Sequence, residues 1–89
     1  MLSITDLMDF IDLDADTIHV VNNATGLPVA DSATLARQLL ATENGISILH
    51  HMFRDQIADA AAAFHLSREE ELRRAHTYFS RKYPIPQVR

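Results

Sequence analysis

Histidine and aspartate recur in the middle of the chain, in the order His51, Asp55 and Asp59. Side chains four residues apart share one face of a helix, so this spacing would stack an imidazole and two carboxylates in one column. Both groups are ligands for divalent metals. The column lacks the His-Glu-x-x-His arrangement of a zinc site and lies opposite the apolar residues of its segment. We therefore expect no metal and no cofactor, with these three residues as the only metal candidates.

Two further histidines, His50 and His76, flank apolar residues at helical spacing. We expect both to lie half-buried at the edge of the core, with hydrogen bonds to the backbone or to a carboxylate. If they face each other across an interface, protonation near pH 6 would weaken the packing, because imidazole gains its charge in that range.

Motifs for catalysis are absent from the sequence. The two glycines, Gly26 and Gly45, are isolated, so the chain has no glycine-rich phosphate loop. It also has no Gly-x-Ser-x-Gly elbow, and it has no cysteine to act as a nucleophile or a thiolate ligand. We expect that the protein is not an enzyme.

The segment from Ala60 to Arg68 resembles the centre of a DNA-binding helix-turn-helix, which often reads Ala-x-x-Leu-Gly-Val-Ser-Arg. Here His65 replaces the turn glycine, and Glu71 stands where the second helix should be apolar. The net charge of −4 also opposes binding to phosphates. We do not expect a nucleic-acid partner. The alternative function that remains is a small nucleic-acid-associated regulator using the basic residues of the last helix, Arg68, Arg73, Arg74, Arg81 and Lys82.

Apolar spacing and capping residues predict the elements that must position these side chains. The predicted fold is all-α, a compact bundle of about five helices in which the last two form an antiparallel hairpin and the acidic N-terminal helices lie along one side. Residues 84–89 are predicted to form an extended tail, since Pro84 and Pro86 end the last helix. The predicted helices cover Ile4–Phe10, Ala15–Ala24, Asp31–Ala41, Thr42–Phe64 and Arg68–Lys82.

The long fourth helix has the clearest pattern, with apolar residues three or four positions apart over about five turns. We expect its buried face to consist of Ile46, Leu49, Phe53, Ile57, Ala60 and Phe64.

Capping residues set the expected helix ends. Asp14, Thr42 and Ser67 are predicted N-caps, and Glu70 would complete a capping box with Ser67. Gly26 suits the left-handed residue after the second helix. Gly45 near the start of the long helix is expected to be a weak point, costing about 1 kcal/mol relative to alanine.

Composition limits the class of protein. The chain has 89 residues, 47% of them apolar, with two glycines and three prolines, which is typical of one folded helical domain over residues 1–89. No apolar run approaches the roughly 18–20 residues needed to cross a bilayer. With no cysteine and no basic signal region at its start, the protein is expected to be soluble, cytoplasmic and without a membrane partner.

Charge is distributed unevenly along the chain. From Arg37 onward, eight basic residues accompany six acidic ones. We expect the acidic first part to lie on the basic end of its own chain, on a second copy or on a basic partner, or to be a solvated face. The part before Arg37 has no lysine or arginine and six acids, Asp6, Asp9, Asp12, Asp14, Asp16 and Asp31.

Four short segments carry a resemblance that extends over the whole chain. They are Leu7-Met8-Asp9-Phe10, Gly26-Leu27-Pro28, Leu39-Leu40-Ala41-Thr42 leading to Gly45, and His76-Thr77-Tyr78-Phe79 before Tyr83-Pro84. On these segments the chain resembles a group of short, uncharacterised bacterial all-helical proteins. The resemblance implies a compact helical domain, and it implies no activity and no site residues.

The function expected from the sequence is a non-enzymatic protein–protein interaction or self-associating module. A run of alanines at the end of the long helix permits close approach of another helix. The expected contact residues are Ala60 and Ala63 in this run, with Arg73 and Arg74 on the last helix. The expected partner is another protein or a second copy of the chain.

Overall fold

The structure, a computed structural model, describes residues 13–86. Within that range the chain forms four helices and no strand, so the prediction of an all-α fold is confirmed. The helix expected over Ile4–Phe10 lies outside the described residues. The four helices are α1 (Ala15–Thr25), α2 (Val29–Leu40), α3 (Glu43–Ala62) and α4 (Leu66–Lys82).

The two ends of α1 are held in different ways. Asp14 occupies the predicted N-cap position, but its side chain makes no capping hydrogen bond. Its carboxylate instead accepts a hydrogen bond from Lys82 Nζ at 3.2 Å. At the other end Gly26 has φ 74° and donates its N–H to the carbonyl of Asn22, which confirms the predicted left-handed glycine.

The turn from α1 to α2 is built around the carbonyl of Leu27. This oxygen accepts hydrogen bonds from the side-chain amide of Asn22 and, at 3.1 Å, from the hydroxyl of the buried Ser32. Helix α2 begins at Val29, directly after Pro28 and two residues earlier than predicted. Proline suits this place because its fixed φ matches the start of a helix and it has no N–H that needs a partner.

Helices α2 and α3 meet at a tight joint. Thr42 caps α3 as predicted, with its hydroxyl accepting the N–H of Gly45 at 2.9 Å. Gly45 itself is buried, and a Cβ atom there would overlap the backbone carbonyl of Leu39 at the end of α2. The expectation that Gly45 is simply a weak point is therefore wrong, because glycine permits this close approach of two backbones.

Helices α3 and α4 pack side by side and run antiparallel. Phe53 and Phe79 lie in contact at the centre, with ring centroids 5.1 Å apart. His50 near the start of α3 reaches Tyr83 just after α4, while three residues, 63–65, join the opposite ends. Both phenylalanines are fully buried, so they anchor the core between these helices.

Helices α1 and α2 also pack against α3. Gln56 of α3 donates its side-chain amide to the carbonyl of Val20 at 2.7 Å, which ties α1 to the long helix. The buried apolar residues of the described chain form one cluster drawn from all four helices: Val20, Val21, Ala36, Leu49, Phe53, Ile57, Ala60, Leu72 and Phe79.

Candidate interaction surface

The link between α3 and α4 is a tight corner in which Phe64 has a left-handed backbone, with φ 59°. The N–H of His65 donates to the carbonyl of Ala60 at 2.9 Å, and the N–H of Phe64 donates to the carbonyl of Ala61 at 3.2 Å. This pair of hydrogen bonds defines a Schellman motif, in which the left-handed residue is usually glycine. The chain therefore places a phenylalanine in a conformation that suits a residue without a side chain.

The side chain of Phe64 is almost unburied, so its packing does not compensate for the unfavourable backbone conformation. It is 86% exposed, and the neighbouring Leu66 is 69% exposed. The prediction that Phe64 belongs to the buried face of the long helix is wrong, because α3 ends at Ala62 and the turn rotates the ring away from the core. The left-handed region costs a residue with a side chain about 1–2 kcal/mol. Neither backbone preference nor packing within the described residues accounts for phenylalanine at this position.

The start of α4 also departs from expectation. The helix begins at Leu66 with His65 at the N-cap position, and His65 makes no side-chain capping bond. The capping box predicted from Ser67 and Glu70 is therefore wrong. The Schellman motif explains this, since its hydrogen bond from His65 fixes the chain direction and lets α4 begin one residue before Ser67.

A cleft of about 360 Å³ opens beside this corner. Ala60 and Ala63 form its small-residue side, while Asp59 and Arg68 place opposite charges at it. Asp59 and Arg68 are exposed, and within the part of the chain that the structure describes neither side chain forms an ion pair. A projecting aromatic ring, an open cleft and two available charges thus share one end of the molecule.

The contact residues expected from the sequence fall in different environments. Ala60 is only 6% exposed and belongs to the core, whereas Ala63 is exposed. Arg73 is exposed and binds the Glu69 carboxylate through its guanidinium, with nitrogen–oxygen distances of 2.7 and 2.9 Å. Arg74 is exposed on the same helix. Of the four, Ala63 lies nearest in sequence to the projecting Phe64.

The metal candidates His51, Asp55 and Asp59 are all exposed on α3. Among the described residues, no three histidine, cysteine, aspartate or glutamate side chains are grouped so that they could hold a metal ion. The helical column therefore does not form a ligand set by itself.

The structure brings His50 and His76 together, which was the condition for an effect of pH on the packing. His50 Nδ1 lies 2.9 Å from His76 Nε2, and His50 Nε2 lies 2.7 Å from the carbonyl oxygen of Tyr83. His50 is 2% exposed, so it is buried rather than at the core edge, and His76 is half-buried. The two rings pack edge to face, and the ring of His76 also stacks on Phe53.

Burial shifts the protonation of both imidazoles. Loss of water contact is the largest cause that lowers the pKa of His50, and the hydrogen bond to Tyr83 opposes it in part. Loss of water contact also lowers the pKa of His76, with additional lowering by the positive charges of His50 and Arg54. The pair is therefore held neutral to lower pH than an exposed histidine would be.

The segment that resembles a helix-turn-helix forms the corner described above. Helices α3 and α4 run antiparallel, with Phe53 against Phe79 and His50 against His76, whereas the helices of a DNA-binding helix-turn-helix cross at about 90–120°. Two of the cations on α4 are engaged within the chain, Arg73 by Glu69 and Lys82 by Asp14. Lys82 also lies over the ring of Tyr78, 4.3 Å from its centroid.

The exposure of Phe64 could not be predicted from the sequence, because its spacing from Ala60 continues the apolar pattern of α3. One signal was present: neither glycine nor asparagine follows the helix before Ser67, so another residue had to take the left-handed position. The missing glycine indicates that a residue with a side chain takes the left-handed position, but it does not indicate which residue that is.

Within residues 13–86, none of the helices combines the length and the hydrophobicity that a membrane span requires. Comparison with protein-family models, with curated proteins and with solved structures finds no match for the chain. The resemblance to short bacterial helical proteins thus stays an expectation from the sequence.

Proposed function

We propose that this protein is a non-enzymatic interaction module that associates with a second copy of itself through the α3–α4 corner. The observation that carries the proposal is the state of Phe64, which has a left-handed backbone and a side chain that is 86% exposed. An outlier of this kind is costly in the free chain and is common where a residue has a functional contact. A large aromatic side chain is also a typical anchor of protein interfaces.

A second copy suits the corner because the corner is self-complementary. In a two-fold contact the same patch meets itself, so a residue that projects from the patch can enter a cleft of the same patch on the partner. Phe64 supplies the projecting ring, and the cleft beside Ala60 and Ala63 supplies the space. Asp59 and Arg68 at this cleft carry opposite charges, so each would face its complement across the two-fold axis.

The expected association is weak. Phe64 and Leu66 are the large apolar side chains exposed at the corner, and Ala63 adds little area. Small interfaces of this kind are typical of transient complexes. We therefore expect a dimer whose fraction rises with concentration between the micromolar and millimolar ranges.

Sedimentation equilibrium of the full chain over that concentration range tests the proposal. Phe64→Ala removes the ring and keeps a Cβ at the left-handed position, so the folded monomer is little changed while the dimer weakens by at least tenfold. Ile48→Ala is the matched control, because Ile48 is another exposed apolar residue, 45% exposed, and it lies in the first half of α3, away from the corner. A monomer at every concentration, or equal weakening in both variants, would contradict self-association through the corner.

The salt dependence of the association distinguishes self-association from the nucleic-acid alternative. Apolar association persists or strengthens as salt rises, whereas binding to phosphates falls steeply. The engagement of Arg73 and Lys82 within the chain supports protein association as the first choice.

A further inference from the structure

The hydrogen bonds at the far end of the α3–α4 pair fix where the protons of two histidines lie. A carbonyl oxygen only accepts, so His50 Nε2 carries the hydrogen that it shares with Tyr83. In the neutral ring Nδ1 of His50 is then an acceptor, and His76 Nε2 must donate to it. We call this arrangement the histidine bridge, formed by His50 and His76 with the carbonyl of Tyr83.

We propose that the histidine bridge is a two-stage proton switch that holds the end of α4 against α3 and releases it at low pH. The first proton binds His76 Nδ1, which is not used in the bridge. His76 Nε2 keeps its hydrogen, so the bond to His50 persists and gains strength from the charge. The second proton must enter at His50 Nδ1, the atom that accepts this bond.

The second stage cannot keep the bridge intact. With both rings protonated, each of the two facing nitrogens carries a hydrogen and neither can accept. Two positive charges then face each other where the nitrogens lay 2.9 Å apart, with little water to screen them because His50 is buried. The contact between the two rings must open.

Among residues 13–86, no charge that acts on the bridge offsets this repulsion. On α3 the charged or titratable groups that act on the bridge are Arg54 and His51, and both disfavour added protons. On α4 the guanidinium of Arg73 is bound to Glu69, and Lys82 is bound to Asp14, which precedes α1. Neither charged residue of α2, Asp31 or Arg37, is among the groups that shift these imidazoles.

The effect of opening is confined to one end of the molecule. The bridge lies at the end of α4, where Tyr83 follows the helix and packs its ring on Phe79, at 5.3 Å between centroids. The corner with Phe64 lies at the other end of the same two helices. The proposal is therefore independent of self-association through the corner.

The sign of the pH effect follows from the lowered pKa of both rings. In the unfolded chain each histidine has a pKa of about 6.5, which is above its pKa in the folded protein. Between those values the unfolded chain binds more protons, so stability falls as pH decreases. The stabilising contribution is complete above about pH 6.5 and is lost as pH falls through the lower folded-state values.

Hydrogen exchange of the full chain at about pH 7.5 and about pH 5, corrected for intrinsic exchange rates, tests this inference. We expect the protection factors of the amides of residues 78–83 to fall at least tenfold at low pH, while the protection factors at the middle of α3 fall less. His76→Gln keeps a side-chain N–H donor for His50 but binds no proton, so this loss should largely disappear. His19→Gln, at an exposed histidine of α1, is the control and should behave as wild type.

A uniform loss of protection along all helices, or an equal selective loss in the His76→Gln protein, would overturn the proposal. If His76→Gln does not fold, the ring-nitrogen NMR signals of wild type decide the matter. Two separated protonation steps below the ordinary histidine range support the two-stage switch. Independent titration of both rings at ordinary values contradicts it.

Discussion

Phe64 combines two features that are unfavourable for a phenylalanine, a left-handed backbone and an exposed ring. Its backbone has φ 59° in a motif that favours glycine, and its ring is exposed. Gly26 occupies the corresponding left-handed position after α1, with φ 74°, and an added Cβ would have no atom within 4 Å. The chain thus has a left-handed residue after a helix twice, once a glycine and once a phenylalanine.

We predict that Phe64→Gly stabilises the folded monomer. Glycine relieves the left-handed cost, and its extra freedom in the unfolded chain offsets part of that gain, which leaves about 0.5–1 kcal/mol. Urea unfolding at low protein concentration measures the change. Gly26→Ala is the reciprocal control and should lower the free energy of unfolding by about 1 kcal/mol. Destabilisation by Phe64→Gly would mean that the ring contributes to the monomer fold.

Among the contacts between helices, the one at Gly45 sets how closely α2 and α3 approach each other. If only helix propensity mattered, Gly45→Ala would stabilise α3 by up to about 1 kcal/mol. The overlap of a Cβ with the Leu39 carbonyl predicts the opposite, since backbone atoms of α2 cannot move aside as a side chain can. We expect Gly45→Ala to destabilise the protein by about 1–3 kcal/mol. Thermal and urea unfolding decide between these signs.

Local features of the helices could be predicted from the sequence. Thr42 caps α3 and Gly26 ends α1 because each acts on backbone groups within a few residues. Leu49, Phe53 and Ile57 are buried as the apolar spacing indicated. Helical phase placed His50 and His76 beside the apolar stripes of their helices, and the antiparallel packing of α3 and α4 brings the two rings together.

Features that depend on a neighbouring element could not be predicted. The need for glycine at position 45 arises from the carbonyl of Leu39, which reaches it only when α2 and α3 are packed. Asp14 lies at the N-cap of α1, but its carboxylate forms an ion pair with Lys82, which is distant in sequence. Within the described part of the chain, the Asp14–Lys82 pair is a contact between an acidic residue of the first part and the basic end.

At the scale of the whole molecule, the α3–α4 pair has two different ends. One end carries the exposed ring of Phe64 beside a cleft, and the other carries the histidine bridge and the Asp14–Lys82 ion pair. The fully buried Phe53 and Phe79 lie between them. Because this buried centre separates the two ends, we expect that the surface chemistry of one end and the protonation of the other can be altered separately.

The central claim, self-association through the corner, is tested most directly by comparing amide NMR spectra of dilute and concentrated wild-type protein. We predict that signals of residues 60–68 move with concentration, while those of residues 78–83 keep their positions. Signals that stay fixed at every concentration, or that move on α1 and α2 instead of the corner, would contradict the claim.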